Sequence, residues 1–222
     1  MFKIQTQDRI KALGYLGYLK YKMTNWARKP YCEVRWQGAR IKFRPIKSDL
    51  ETICEVAKGE YSKLNYQVSV AGYPEIIIDA GAHIGFSAIE FATSFPKTIV
   101  IAIEPHHENF NLLKLNTKSY PNIIPIAGAL VSKNSQRLLR LYDRKTGTWG
   151  YSLAPNNVEK AQVDGYTTAL SLDDILEQFQ PAKISILKLD IEGGEKDLFD
   201  HDFDTLNTIP LVVAELHDRI MS

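Results

Sequence analysis

The stretch that most constrains this chain is Ile76-Ile77-Ile78-Asp79-Ala80-Gly81-Ala82-His83-Ile84-Gly85-Phe86-Ser87-Ala88-Ile89-Glu90-Phe91. Three β-branched residues run into an acid, two glycines follow four residues apart, and an apolar pattern of helical period begins at once. That order reads strand, tight turn, helix. Glycine supplies positive φ or lets backbone come close to a neighbour, and a helix starting at such a turn aims N–H groups above the strand end. The corner belongs to an α/β chain with a doubly wound, mostly parallel, Rossmann-like sheet, and a polar ligand should sit over it.

The residues of the corner narrow the ligand. A dinucleotide fingerprint would read G-x-G-x-x-G, its middle glycine admitting a pyrophosphate to the helix N-terminus. Here Ala80 and Ala82 flank Gly81, and His83 precedes Gly85 by two, so that fingerprint is missing. An acid at Asp79 would repel a pyrophosphate but suits a ligand carrying a cationic ammonium or sulfonium. S-adenosyl-L-methionine fits that description.

With 222 residues of ordinary apolar and charged content, the chain is large enough to bury a substantial core. The expected organisation is a basic N-terminal helix and hairpin over 1–47, then one compact ligand-binding unit over 48–222. The formal net charge of +1 is unevenly spread: residues 1–47 hold twelve Lys or Arg against two acids, and residues 170–222 hold twelve acids against four bases. Cys32 and Cys54 have no metal or disulfide spacing, which favours a reducing cytoplasm. No run approaches a membrane span, and residues 1–5 lack a signal-peptide core.

Within residues 8–24, Ile10, Leu13, Leu16, Leu19 and Met23 form a helical stripe opposite Arg9, Lys11, Lys20 and Lys22. Packing of the stripe on the chain's own sheet is the first expectation; contact with an anionic membrane surface is the lesser reading. Tyr31–Pro45 reads as a hairpin turning at Gln37-Gly38-Ala39, and Asp49–Lys58 as a helix capped by Ser48. Thr98–Ile103 is a second β-branched run ending on Glu104-Pro105, where a carboxylate would accept hydrogen bonds from ribose hydroxyls. Ile123–Ala127 leads into Gly128-Ala129, small enough for an adenine ring to lie against backbone.

Between Val131 and Lys183, strands around Leu138–Tyr142 and Tyr166–Leu170 should flank a loop holding Trp149, Gly150, Tyr151 and Ser152, a candidate lid or substrate wall. Ser171 has the setting of a helix cap. The run Ile184–Asp190 then enters Ile191-Glu192-Gly193-Gly194-Glu195, bringing Lys188, Asp190, Glu192 and Glu195 to the carboxyl end of a strand that should adjoin the first. Lys188 and Asp190 share one face of it. Glu195 reads as a first-turn acid complementing a helix dipole. Leu211–Leu216 is the fifth strand, followed by His217.

The segments IIIDAGAHIGFSAIEFA, IVIAIEPHHENFNLLKLN and ILKLDIEGGEKDLF resemble the FkbM-like family of S-adenosylmethionine-dependent methyltransferases over roughly residues 40–218. The resemblance implies a class I methyltransferase fold and O-methylation of hydroxyl groups on sugars or other small molecules. It places Asp79, Gly81, Gly85, Glu104 and Asp190 on cofactor-binding positions, with Ala82, His83, Pro105 and Ala129 beside them; His83 stands where asparagine is more usual. Methyltransferases of this fold carry a strand pair after the fifth strand, and this sequence shows no residues for it. Either the domain is truncated, or the basic hairpin covers that edge, or a second subunit in a homodimer does.

A sulfonium methyl is already activated, so alignment with the acceptor oxygen is the main requirement, together with a base for the hydroxyl proton. The candidates are His217, Asp190 and Glu192. No carboxylate set demands a metal ion. The leading expectation is an O-methyltransferase acting on a small-molecule or glycan acceptor; the alternative is a catalytically silent or truncated methyltransferase-like scaffold. A dinucleotide oxidoreductase is disfavoured by Asp79 and the missing glycine. Nucleic acid is not an expected partner, because no aromatic-basic RNA motif accompanies the basic first fifth.

Overall fold

A computed structural model describes residues 5–59, 61, 73–133, 135, 137–143, 151–153, 162–180, 183–192 and 194–215. In chain order the elements are α1 (Thr6–Trp26), β1 (Cys32–Trp36), β2 (Ala39–Phe43), α2 (Lys47–Ala57), β3 (Ile76–Ala80), α3 (Phe86–Ser94), β4 (Ile99–Glu104), α4 (His107–Thr117), β5 (Ile123–Ala127), β6 (Ala129–Leu130), β7 (Leu138–Asp143), β8 (Tyr151–Ser152), β9 (Gln162–Leu170), α5 (Leu172–Gln178), β10 (Ile184–Leu189), α6 (Glu195–His201), α7 (Phe203–Leu206) and β11 (Leu211–Ala214).

Five strands in the order β11-β10-β3-β4-β5 make an entirely parallel sheet. Parallel strands with helices on both faces are buried on both sides, which is why β3 is apolar almost throughout and all five of its residues are buried. Its side chains alternate between two cores. Ile77 joins Phe86 and Phe91 of α3, Leu113 of α4, Ile53 of α2 and Trp36 and Phe43 of the hairpin. Ile76 and Ile78 join Leu172 and Ile175 of α5, Leu198 of α6 and Leu206 of α7. This is the doubly wound arrangement expected.

A second sheet, β6-β9-β7-β8, grows from the loop after β5. Its strands account for the irregular alternation between Val131 and Lys183; Trp149 and Gly150 lie outside the described residues. β9 explains Gly128, where an added Cβ would come within 2.8 Å of Leu170 Cδ1 and 2.9 Å of the Thr168 carbonyl oxygen. The small residues at 128–129 thus serve strand packing: Ala129 is buried and pairs with Ala169.

The N-terminal region holds three departures from the sequence reading. The hairpin turns on Gln37 and Gly38, both at positive φ, as a two-residue turn requires. Among the described residues it does not pair with β11, the outer strand of the main sheet. It packs on α1 and α4, and α4 lies against β5 on the other flank. Lys42 N–H donates to Asn116 Oδ1 at 2.8 Å, and Asn116 Nδ2 donates back to the Lys42 carbonyl at 2.9 Å. Second, α2 starts at Lys47 with Ile46 at its N-cap, so Ser48 lies inside the first turn. Third, α1 is kinked at Gly14 (φ 69°, ψ 163°), and the apolar stripe divides there. Leu13 is buried with Ala12, Tyr21 and Thr24, whereas Leu16, Leu19 and Met23 are exposed. Ser171 caps α5 as expected: its hydroxyl accepts from Asp174 N–H at 3.1 Å within a capping box.

Candidate active site

The carboxyl ends of β10, β3 and β4 lie side by side, and register brings their ionisable residues together. Lys188 is the direct cross-strand partner of Asp79. Its amine lies 2.9 Å from Asp79 Oδ1, donates to the Gly81 carbonyl at 3.0 Å and lies 3.7 Å from Asp190 Oδ2. The second oxygen of Asp79 accepts from Ser87 Oγ at 2.5 Å. Burial opposes the charged amine, but the carboxylates of Asp79 and Asp190 prevail and hold Lys188 well above its ordinary value. Asp79 is wholly buried. The cation it meets in this structure is the chain's own, where the sequence reading had set it directly against a ligand.

The turn after β3 is built from close backbone contacts. Gly81 has φ 80°, and a Cβ there would fall 1.8 Å from the carbonyl oxygen of Asp190, so the end of β10 occupies the space any side chain would need. Gly81 and Ala82 N–H both donate to the Ile103 carbonyl, at 3.0 and 2.9 Å, pinning the turn to β4. Gly85, φ 97°, opens α3 where a Cβ would lie 2.8 Å from Leu113 Cδ1. The glycines therefore serve close strand and helix packing as well as the turn.

Glu104, at the end of β4, is buried and organises the loops around it. Oε2 accepts from His83 N–H at 2.9 Å; Oε1 accepts from His106 N–H at 3.0 Å and from Asn109 Nδ2 at 3.1 Å. Burial raises its carboxyl to about 7 despite those three donors. A ribose hydroxyl would have to share oxygens that already accept from the chain. Pro105 follows it, partly buried.

His83 sits at φ 50°, a conformation asparagine also tolerates. Its ring is buried: Nε2 lies 3.5 Å from Asp49 Oδ1 and 3.4 Å from an Arg44 guanidinium nitrogen. Burial lowers its value to about 4; Asp49 works the other way, while Arg44 and Lys188 reinforce the shift. Arg44 holds Asp49 through two bonds of 3.0 Å and donates to Asn109 Oδ1 at 2.7 Å. One hairpin residue thereby joins α2, the glycine corner and α4. Nothing in the sequence period announces this cluster, because its members are spread from position 44 to position 109.

Two acids at the site are more open. The Asp190 side chain is 35 % exposed, and Glu192, at φ 52°, is half-buried. Glu195 is fully buried as the first residue of α6 and accepts from Ile191 N–H at 3.1 Å, so it acts within the fold. His106 stands at the N-cap position of α4, and its Nε2 lies 2.8 Å from Asp164 Oδ2, tying the β4 loop to β9. Burial lowers the His106 value against the pull of Asp164. His217 lies outside the described residues. Among the described residues no group of three His, Cys, Asp or Glu side chains could hold a metal ion.

A family model described as the methyltransferase FkbM domain matches residues 79–221, more than half of the chain, from Asp79 of the corner through β11. The chain belongs to the FkbM methyltransferase family. This FkbM domain is also 24 % identical, over 163 residues, to the hexuronic acid methyltransferase AglP of Haloferax volcanii; the match covers 72 % of this chain and 63 % of that relative's length. Among solved structures it is similar to TYW2 of M. jannaschii in complex with AdoMet (24 % identity, 44 % of this chain and 43 % of that one, TM-score 0.30). It is similar also to TYW2 of P. horikoshii in complex with MeSAdo (17 % identity, 52 % and 48 %, TM-score 0.32). The site residues that the FkbM domain match encloses are those at the ends of β3, β4 and β10; Arg44 and Asp49, which brace them, precede it.

Proposed function

We propose that this FkbM domain is an S-adenosyl-L-methionine-dependent O-methyltransferase acting on a hydroxyl group of a small molecule or sugar. One observation carries the reading: Asp190, partly open, lies 3.7 Å from Lys188 beside a buried pair, Lys188 and Asp79, whose charges offset each other, and the partly open Glu192 follows two residues on. The mouth formed by β3 and β10 is therefore net acidic, and that donor set fits a ligand with a cationic ammonium and sulfonium. When bound, the sulfonium supplies an already activated methyl group.

The chain's own residues then position and deprotonate. Lys188 and Ser87 fix Asp79, and Lys188 also holds the turn Gly81-Ala82-His83 by donating to the Gly81 carbonyl. Asp190 would meet the cationic end of the cofactor. Glu104 and Pro105 form the wall on the β4 side, where a ribose would lie. Asp190 and Glu192 are the described candidates for taking the acceptor proton, with His217 as the histidine candidate just past β11. The similarity to AglP, a hexuronic acid methyltransferase, supports a sugar acceptor.

The test is calorimetric titration with S-adenosylhomocysteine, then methyl transfer from labelled S-adenosylmethionine to uronic acids and neutral sugars. Binding with transfer to a hydroxyl supports the reading. Binding without transfer to any hydroxylated acceptor would instead favour a silent scaffold, and absence of binding would remove the site.

A further inference from the structure

The kink at Gly14 leaves α1 with an apolar face that the fold does not use. Leu16 is 80 % exposed, Met23 69 % and Trp26 88 %; Tyr15 and Leu19 are exposed beside them. At 3.6 residues per turn these five side chains fall within an arc of about 100°. Lys22 lies at one border of that arc and Lys20 at the other, both exposed, while Tyr21 and Thr24 hold the opposite side of the helix in the core. A cleft of about 800 Å³ continues the face between α1 and the hairpin, lined by Leu13, Leu16 and Val34 and by Lys20, Arg35 and Arg40, with one acid, Glu33, 3.9 Å from Arg40.

We propose that α1 and this cleft dock on an anionic lipid surface, the helix lying in the plane of the bilayer. An apolar band bordered by lysines, ending in a tryptophan, matches the interface between acyl chains and headgroups: the band enters, the indole stays at headgroup depth and the amines reach phosphate. The charge of the region agrees, with twelve Lys or Arg against two acids in residues 1–47. No helix among the described residues is long and apolar enough to cross a membrane, so the mode is surface contact. A second copy of the chain is the competing occupant. Two-fold pairing through this face would bring two lysine-bordered faces together, and head-to-tail pairing with the acidic residues 170–222 would build a ring or an open filament rather than a pair.

Sedimentation with vesicles tests this, comparing phosphatidylcholine alone with three parts phosphatidylcholine to one part phosphatidylglycerol. The full chain should bind the anionic vesicles, release them as salt rises and show a blue-shifted tryptophan emission that Trp26→Phe removes. Leu16→Ser with Trp26→Ser should abolish binding, and Lys20→Glu with Lys22→Glu should weaken it at least tenfold, since each basic group near such a surface is worth about fivefold in affinity. All four positions are exposed, so unchanged thermal midpoints identify the loss as one of contact. Absence of vesicle binding at low salt, binding that these variants leave intact, or a concentration-dependent oligomer that they dissociate would each overturn the proposal. The outcome is independent of methyl transfer.

Discussion

Lys188 Nζ lies 2.9 Å from Asp79 Oδ1, in register across β3 and β10, with side-chain exposures of only 6 % and 0 %. A pair buried this deeply constrains how the site can be probed. Were Asp79 engaged by ligand alone, Asp79→Ala would spare the fold. The pair predicts the reverse: Asp79→Ala and Lys188→Met should each lower unfolding free energy by about 3–5 kcal/mol, because each leaves a charge buried without its mate. Urea denaturation checks this, and the double variant Asp79→Asn with Lys188→Met should recover part of the loss.

Asp190 should separate binding from folding. It is partly exposed, and its 3.7 Å approach to Lys188 is the longer of that amine's two carboxylate contacts. Asp190→Ala is expected to weaken S-adenosylhomocysteine at least tenfold in calorimetry while costing about 1 kcal/mol or less in stability. Equal affinity in the variant would take Asp190 out of the cofactor site.

Gly81→Ala meets two obstacles at once. Its φ of 80° costs a residue with a Cβ about 1–2 kcal/mol, and the Asp190 carbonyl stands where that carbon must go. The end of β10 must move away, so the thermal midpoint and cofactor affinity should fall together. A variant with native stability would mean that the two strand ends are spaced more widely than described.

Glu104 and His83 set opposed pH dependences. Glu104, raised to about 7 from 4.5, keeps a proton in the folded chain that the unfolded chain has already released; its stabilising effect is present in acid and fades as pH climbs through about 7. His83, lowered to about 4 from 6.5, does the opposite. Its contribution is full above about 6.5 and is lost as pH falls through about 4. Between pH 4.5 and 6.5 the two contributions oppose each other, with His106, also lowered by burial, adding to that of His83. Relative to the wild-type chain, Glu104→Gln should make the slope of stability against pH more positive over that range, and His83→Asn should make it more negative. Urea midpoints along a pH series read both slopes, and parallel profiles in the two variants would contradict the assignment.

What was legible in the sequence was local. β-branched runs ending on Asp79, Glu104 and Asp190 revealed three strands of the main sheet, and the spacing of Gly81 and Gly85 revealed the turn and α3. The two-residue spacing of Lys188 and Asp190 anticipated that their side chains meet, at 3.7 Å, although Asp190 lies one residue past the end of β10. Contacts across the chain left no such trace. Asp79 finds Lys188 more than a hundred positions away, and Gly128 is small because β9 crosses it, a reason visible only once that strand is in place. On α1 the period itself misled: the stripe from Ile10 to Met23 is continuous in sequence, but the break at Gly14 turns its later members out to solvent.

Arg44 has a practical consequence for anyone shortening this chain. The family match opens at residue 79, yet Trp36 meets Phe86 in a T-shaped contact with ring centroids 5.3 Å apart, and Asn116 grips both Lys42 and the Ile84 carbonyl. A fragment cut at position 79 would unroof the first turn of α3 and strip Asp49 and Arg44 from His83. Recombinant versions meant for crystals or enzyme assays should therefore begin upstream of Cys32, since the hairpin is as much a wall of the family-matched half as the helices that follow it.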